Sequence, residues 1–429
     1  MTTTTTVLLA PYLTVIAKRA ACPTLPSDAV CRSTLDVLGV PVSPGSLVPY
    51  TLTISTIISA VLLIVVGALV DRSPRPTRLF GAFAWSGAVA ASLMVFVAGT
   101  NWLLGALLLV LANLALGASL VVYDSLLIRI AGPDERDRVS SRGWALGYLG
   151  GGLLLALNLG LLTAAARLGI STMAAVRVSL LSAGLWWALF TAIPVLGLRD
   201  LHGTTDVPVD RGAGVFGGSL RQLRDTLAEL RSYPQTMLFL LAYLFFNDGI
   251  QTVIGSSSIY GAEELRLSSS QLITVILLVQ FVAFGGALLF GRLARSYGAW
   301  RVVLSSLAMW AVVVGAAFFL PARRLLPFLA LGVLIGIVLG GSQALSRSMY
   351  SQLVPRGREA EFFGLYQAME RGTSWFGTLL FGLVQQFTHS YRWAILALVA
   401  FFALGGALLS RVRMREGVIA AGNPIPAVL

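Results

Sequence analysis

Three charged residues stand inside stretches otherwise built of Leu, Phe, Ala and Tyr: Asp248 in Leu-Phe-Phe-Asn-Asp-Gly-Ile, and Glu370 with Arg371 in Tyr-Gln-Ala-Met-Glu-Arg-Gly. An ionised carboxylate at the centre of a bilayer costs about 2.5 to 3.5 kcal/mol on insertion scales, so such residues need a reason to be there. At 100° per residue, Asn247, Asp248, Gln251, Gly255 and Ser258 share one third of a helix circumference. That polar stripe must face a bundle interior, either as a substrate or proton site or as a contact in which Asn247 and Gln251 bond to a neighbouring helix. Tyr366, Gln367, Glu370, Thr373, Ser374 and Gly377 form a second such face, with Arg371 at its border. Glu370 and Arg371 sit about 12 Å in from the nearer helix end at 1.5 Å per residue. They can bind substrate or neutralise one another and their neighbours, and both readings stand.

Together these groups suit a zwitterion, whose ammonium needs a carboxylate and whose carboxylate needs a cation. Asp248 and Glu370 answer the first need and Arg371 the second. Gln280, Gln343, Asn113 and Asn158 offer neutral hydrogen bonds, and Trp144, Tyr148, Phe281 and Phe284 offer either an apolar lining or ordinary packing. Lys18 is the only lysine, so no Gly-rich loop can supply the phosphate-binding lysine of a nucleotide-driven pump. His202 and His389 are the only histidines, and neither a His-Glu-x-x-His nor a Gly-x-Ser-x-Gly run exists. No enzyme, metal site or cofactor is implied. Uphill movement would draw on an ion gradient, with Asp248 the first choice to load and release a proton; uniport needs no such residue.

The elements that must carry these residues are membrane helices. The chain has 429 residues, of which 56% are hydrophobic and 12% charged, and its mean hydropathy is +0.82. Soluble domains carry about a quarter charged residues. Twelve apolar stretches, each near the roughly 20 residues that cross a bilayer, are expected to be helices because lipid leaves no unpaired backbone. They run near 2 to 17, 47 to 70, 79 to 99, 102 to 123, 143 to 165, 173 to 197, 236 to 258, 270 to 290, 300 to 320, 325 to 346, 362 to 385 and 391 to 411. The net charge of +12 is a topology signal rather than a nucleic-acid footprint. One set of alternate connections holds Arg72, Arg75, Arg78, Arg136, Arg138, Arg142, Arg292, Arg295, Arg301, Arg356 and Arg358, together with the arginines of the long central interval, while the other side holds few. The first set, and both termini, are expected in the cytoplasm.

Cys22 and Cys31 are the only cysteines, and both fall in the first external loop. A short disulfide and two free thiols are both open. The apolar run at the N-terminus lacks the basic flank of a cleaved signal peptide and reads as the first span, a short one. A start upstream of Met1 would account for its length.

Residues 199 to 235 are the longest polar interval, dividing the chain into a bundle over 1–197, a cytoplasmic linker over 198–235 and a second bundle over 236–429. Within the linker, Leu220, Leu223, Leu227 and Leu230 share a helical face over Ser219 to Arg231, as expected of an interfacial helix. The two bundles repeat. Gly67-x-Leu69-x-Asp71-Arg72-x-x-Arg75 after the second span answers Gly291-x-Leu293-x-Arg295 after the eighth, 224 positions on, and Gly117-x-Ser119 through Asp124-Ser125 answers Gly340-x-Ser342 through Arg347-Ser348. Duplicated six-helix halves with a cavity at mid-membrane are a transporter architecture.

The Gly-x-Leu-x-Asp-Arg loop, the twelve spans and the central linker resemble the major facilitator superfamily. Asn247-Asp248-Gly249, Gln280-Phe281-Val282-Ala283-Phe284, Gly340-Gly341-Ser342-Gln343-Ala344 and Glu361-Phe362-Phe363-Gly364 with Arg371-Gly372-x-Ser374-Trp375 further resemble the vacuole-effluxer-like family, linked in yeast to autophagy and amino-acid release. The start of the chain departs from that family, lacking its Tyr-Asp-x-x-Asn-Ser-Ala type opening. The resemblance implies an all-α secondary transporter of small solutes, amino acids favoured, that works as a monomer in the lipid bilayer. It also implies that Gly67, Asp71, Arg72 and Arg75 form a cytoplasmic latch whose aspartate meets a helix N-terminus. The opposite charges at equivalent positions, Asp124 and Arg347, are read as an inter-half gate or as two solvated interfacial residues. A proton-coupled drug or sugar carrier, and a receptor or assembly factor built on a transporter scaffold, are the competing functions. High arginine with one lysine hints at a GC-rich genome and hence a bacterial plasma membrane.

Overall fold

The computed structural model describes residues 5–23, 31, 33–37, 39–201, 228–372 and 375–429. The linker helix expected over Ser219 to Arg231, apart from its last residues, and the site candidate Ser374 lie outside them. The helices are α1 (Ala10–Ala21), α2 (Leu47–Asp71), α3 (Pro76–Leu93), α4 (Trp102–Ile130), α5 (Arg136–Ala164), α6 (Thr172–Gly197), α7 (Pro234–Ile259), α8 (Ser269–Tyr297), α9 (Ala299–Phe318) and α10 (Leu325–Gln352). They continue with α11 (Glu359–Gly372), α12 (Trp375–Thr388), α13 (Tyr391–Ala397), α14 (Val399–Ser410) and α15 (Met414–Ala420). Among the described residues ten helical segments are long and apolar enough to cross a membrane: α2 to α10, and α13 with α14 as one. The remaining two expected spans coincide with α1, which is only 12 residues long, and with α11 and α12, which end and begin on either side of residues 373–374.

Packing divides the chain into two compact units. The first comprises residues 1–62, 74–122 and 153–203. In its membrane interior, polar side chains pair off as an apolar solvent demands: Asn113 on α4 donates to Ser55 on α2 at 2.7 Å, and Ser182 on α6 donates to Asn158 on α5 at 3.0 Å. Tyr12 on α1 donates to the carbonyl of Val97. Trp85 ties α3 to α6 through the carbonyl of Ala188 at 3.1 Å. Cys22 and Cys31 are joined by a disulfide, followed by a two-stranded antiparallel hairpin of β1 (Leu35–Val37) and β2 (Val40–Val42), with Leu35 opposite Val42.

The second unit comprises residues 63–73, 123–152 and 204–429. It therefore holds helices α7 to α15 together with the arginine-rich ends of α2, α4 and α5. Its core is aromatic: Trp310 stacks on Phe402 at 5.5 Å, and Tyr243, Tyr366 and Tyr350 stack in succession at 4.2 and 5.0 Å. Ser268 opens α8 with a reciprocal capping box to Gln271. Arg392 donates to Glu264 and to the carbonyls of Phe318 and Leu320, so a cation serves the end of α9 where carbonyls lack helical partners.

Candidate functional site

The residues singled out by charge and spacing fall into three contacts within the second unit. The first is at the end of α2. Asp71 is the last residue of that helix, and its two carboxylate oxygens accept the backbone N–H groups of Ala360 at 2.8 Å and Glu361 at 2.7 Å. These are two of the four amides that an α-helix leaves without internal partners, here those of α11, and an anion at that end also favours the helix dipole. The carboxylate can reach because the helices touch backbone to backbone. A Cβ at Gly67 would collide with the Ala360 carbonyl, and one at Gly364 with that of Leu63. Each helix thus presents a glycine to the other, four residues from the partner's contact. Arg72 and Arg75 are exposed, whereas Asp71 is buried.

The second contact joins the α4–α5 hairpin to α10. Arg347 donates to Asp124 at 3.0 Å, to the Ser140 hydroxyl at 3.0 Å and to the Ser140 carbonyl at 3.3 Å, and lies 4.8 Å over the Tyr123 ring. Both side chains of the ion pair are 4% exposed. Nearer the helix ends, Arg136 donates to the Ser351 carbonyl at 2.9 Å and to Gln352 at 3.1 Å, and Gln352 in turn donates to the carbonyl of Pro133 at 2.8 Å. Ser140 closes the set by donating to the Ala344 carbonyl at 2.6 Å. A buried pair of this kind adds little net stability, because the Coulomb gain is offset by desolvation, but removing one partner strands the other charge. It selects one arrangement of helices over another.

The third contact joins α7 to α11 and α12. Tyr243 donates to the Glu370 carboxylate at 2.9 Å, Asn247 to the Glu370 carbonyl at 3.3 Å, and Arg371 to the side-chain carbonyl of Gln367 at 3.3 Å. The Gln367 amide donates to Glu370 at 3.3 Å and to Asp124 at 2.8 Å, which links this contact to the ion pair. Asp248 lies apart from that chain of bonds. One of its oxygens accepts the N–H of Gly377, in the first turn of α12, at 2.7 Å. Its other oxygen, together with Asn247 Oδ1 and Thr252 Oγ1, is buried with no partner among the described residues.

The other sequence candidates are distributed as follows. Gln343 is buried and accepts from the Tyr148 hydroxyl at 2.8 Å. Trp144 lies 5.8 Å from Tyr148. Gln280 and Phe281 on α8 approach Gly152 on α5. Gln251 is half-buried on α7. Asn113 and Asn158 belong to the first unit, each bonded as described above. Three residues of the site escape sequence reasoning: Arg136, which counts there only as a topology arginine, Ser140, and Gln367, which the helical stripe includes without a role. For Gln367 the signal exists, since it lies three and four residues before Glu370 and Arg371, the spacing of helix-surface neighbours.

Comparison with known proteins bears on the same scaffold. The family described as vacuole effluxer Atg22 like matches residues 9–422. The chain is 30% identical over 365 residues to the uncharacterized MFS-type transporter YxiO of Bacillus subtilis, covering 85% of this chain and 83% of that one. It is 26% identical to autophagy-related protein 22-1 of Phaeosphaeria nodorum over 449 aligned positions, covering 89% and 78%. Among solved structures, a bacterial homologue of the iron transporter ferroportin in its outward-facing state superposes with a TM-score of 0.65 at 15% identity, over 96% of this chain and 99% of that one. The Escherichia coli fucose:proton symporter gives 0.62 at 12% identity, over 94% and 97%. At such identities the likeness is one of fold.

Proposed function

The chain belongs to the vacuole effluxer Atg22-like family and is a multi-pass membrane transporter of the major facilitator fold, not an enzyme, and from that premise we propose that it moves zwitterionic small molecules, amino acids first among them, by alternating access. The observation that carries this reading is the pairing of both signs of charge side by side on one helix: Glu370 and Arg371, consecutive on α11, with Glu370 accepting from Tyr243 and Gln367 and Arg371 donating to Gln367. An ammonium and a carboxylate on one small solute can exchange places with such a pair without leaving either protein charge unserved. Asn247, Gln251, Gln280, Gln343 and Ser374 complete the substrate set. Asp248, with one oxygen unpartnered among the described residues, is the proton site of a gradient-driven cycle.

On the arginine-rich side, Gly67, Asp71, Arg72, Arg75, Asp124 and Arg347 form the cytoplasmic gate. Its bonds between α2 and α11, and between the α4–α5 hairpin and α10, hold that side shut and must break for substrate to pass. The mobile bodies are the two six-helix halves, joined by the 198–235 linker, and the working unit is a monomer in the plasma membrane. The last assignment rests on composition, and the family description names the vacuole; fractionation of the native host decides between them.

Uptake of labelled leucine, isoleucine and tyrosine into proteoliposomes, with and without an imposed pH gradient, tests the reading. Saturable uptake is expected for the wild type, lost in Glu370→Gln and Arg371→Gln, and deprived of its response to the gradient in Asp248→Asn. No saturable flux of any of the three, with folded protein in the vesicles, would overturn the amino-acid assignment.

A further inference from the structure

Gln367 is bonded to two of the three polar contacts of the second unit, and both of its amide hydrogens are used in doing so. Its nitrogen donates to Asp124 on α4 at 2.8 Å and to Glu370, one helical turn along α11, at 3.3 Å, while its oxygen accepts from Arg371 at 3.3 Å. The side chain is buried, so water cannot substitute for a bond that is lost. We propose that Gln367 is the positioning residue that couples occupancy of the Glu370–Arg371 pair to closure of the Asp124–Arg347 gate. The inference rests on the gate and the binding pair as assigned under the function above, and adds the connection between them.

The coupling works by competition for position: the two hydrogens of the amide serve both acceptors at once, but they lie in one rigid plane, so the nitrogen, 2.8 Å from Asp124 and 3.3 Å from Glu370, moves away from one as it is drawn to the other. With the gate shut, Asp124 takes a bond from Arg347 and one from Gln367. When α4 leaves α11, the Gln367 nitrogen loses Asp124 and is free to shorten its 3.3 Å bond to Glu370, to which it already donates. An ionised Glu370 is a strong acceptor for that amide and so favours the open gate. A proton or a substrate ammonium on Glu370 weakens that acceptor and leaves the amide to Asp124. Loading of the pair therefore closes the gate, and emptying it releases the gate. Tyr243, which donates to the same Glu370 oxygen at 2.9 Å, fixes the carboxylate so that the choice remains between two positions.

A double-mutant cycle reads this coupling without reference to any substrate. Ser351 is buried at the end of α10, where its carbonyl receives Arg136. A Ser351→Cys reporter in the full-length protein is labelled by a membrane-impermeant maleimide, applied from the arginine-rich side, at a rate set by gate opening. In this background Asp124→Asn should speed labelling; if it does not, the gate assignment itself fails. Glu370→Gln should slow labelling about fivefold, within the range of coupling between residues of one hydrogen-bond network. Gln367→Met, which matches the side chain in length, should remove that effect, so that adding Glu370→Gln to the Gln367→Met variant changes nothing further. The proposal is overturned if Asp124→Asn speeds labelling while Glu370→Gln acts equally with and without Gln367, or acts in neither. Gln367→Glu is the second variant: it keeps the oxygen that Arg371 uses but adds a charge beside Asp124, and should hold the gate open whatever residue 370 is.

Discussion

The sequence repeat brings the molecule to the same helix crossing twice, and the two crossings are built with different chemistry. At α2 and α11, Gly67 lets the helices touch, and Asp71, one turn later, accepts two amides at the start of α11. At α8 and α5, the equivalent Gly291 faces Ser141 and the Asp137 carbonyl in the first turns of α5, but position 295 is an exposed arginine lining a cavity of about 230 Å³ with Asp134 and Asp137. A carboxylate locked onto a helix N-terminus is a discrete bond that is either made or broken. An exposed arginine near two acids is screened by water and salt and has no single geometry to lose. Duplication kept a glycine at both joints, and of the two it is the α2–α11 joint that carries a catch.

Four substitutions break or sharpen that contrast, each read as gate opening through maleimide labelling at Ser351→Cys. Gly67→Val should have the largest effect, because the new side chain meets backbone that cannot turn aside and parts Asp71 from both amides; overpacking costs about 1 to 3 kcal/mol before those bonds are counted. Full opening, with transport lost, is expected. Asp71→Asn keeps the volume and removes the charge and one acceptor. A hydrogen bond to a charged group is worth roughly 1.5 to 3 kcal/mol, so labelling should rise about ten- to hundredfold. Gly291→Ala meets the Ser141 hydroxyl, which can rotate, and the Ser141 Cβ, which cannot, both at 2.7 Å; overpacking by one methyl against no backbone atom costs about 1 kcal/mol, so labelling should rise about fivefold. Arg295→Ala, at an exposed position, should fall within about 0.5 kcal/mol, or roughly twofold. If Arg295→Ala proves as disruptive as Asp71→Asn, the contrast between the two joints is lost.

Much of this arrangement is legible in the residues themselves. Apolar runs of membrane length and the 224-position repeat carry the fold, since both follow from what a bilayer permits. The meeting of Asp124 with Arg347 is legible because opposite charges occupy equivalent positions in a duplicated scaffold. The engagement of Asp248 is not. Its partner is the backbone N–H of Gly377 on another helix, a group that no residue type along α7 marks. Arg136 shows the opposite difficulty. An arginine beside a span satisfies the topology rule wherever its side chain turns, so composition cannot distinguish a partly exposed Arg138 from a buried Arg136 holding the end of α10. Gln367 is hidden for a third reason, because its partners lie on different helices and no periodicity along one helix reports a bond to another.

The close crossing of α2 and α11, with Gly67 against the backbone of Ala360 and Gly364 against that of Leu63, has a thermodynamic consequence. Where two helices meet through Gly67 and Gly364, little side-chain surface is buried between them at that point, so separating them there exposes little apolar area. Heat-capacity change follows apolar exposure at about 0.45 cal/K/mol per Å². The parting of this joint should therefore carry a small heat-capacity term, with the enthalpy of a few polar bonds dominating the barrier. In a fluid bilayer its rate should follow a straight Eyring line, where a joint of interlocked leucines would give a curve.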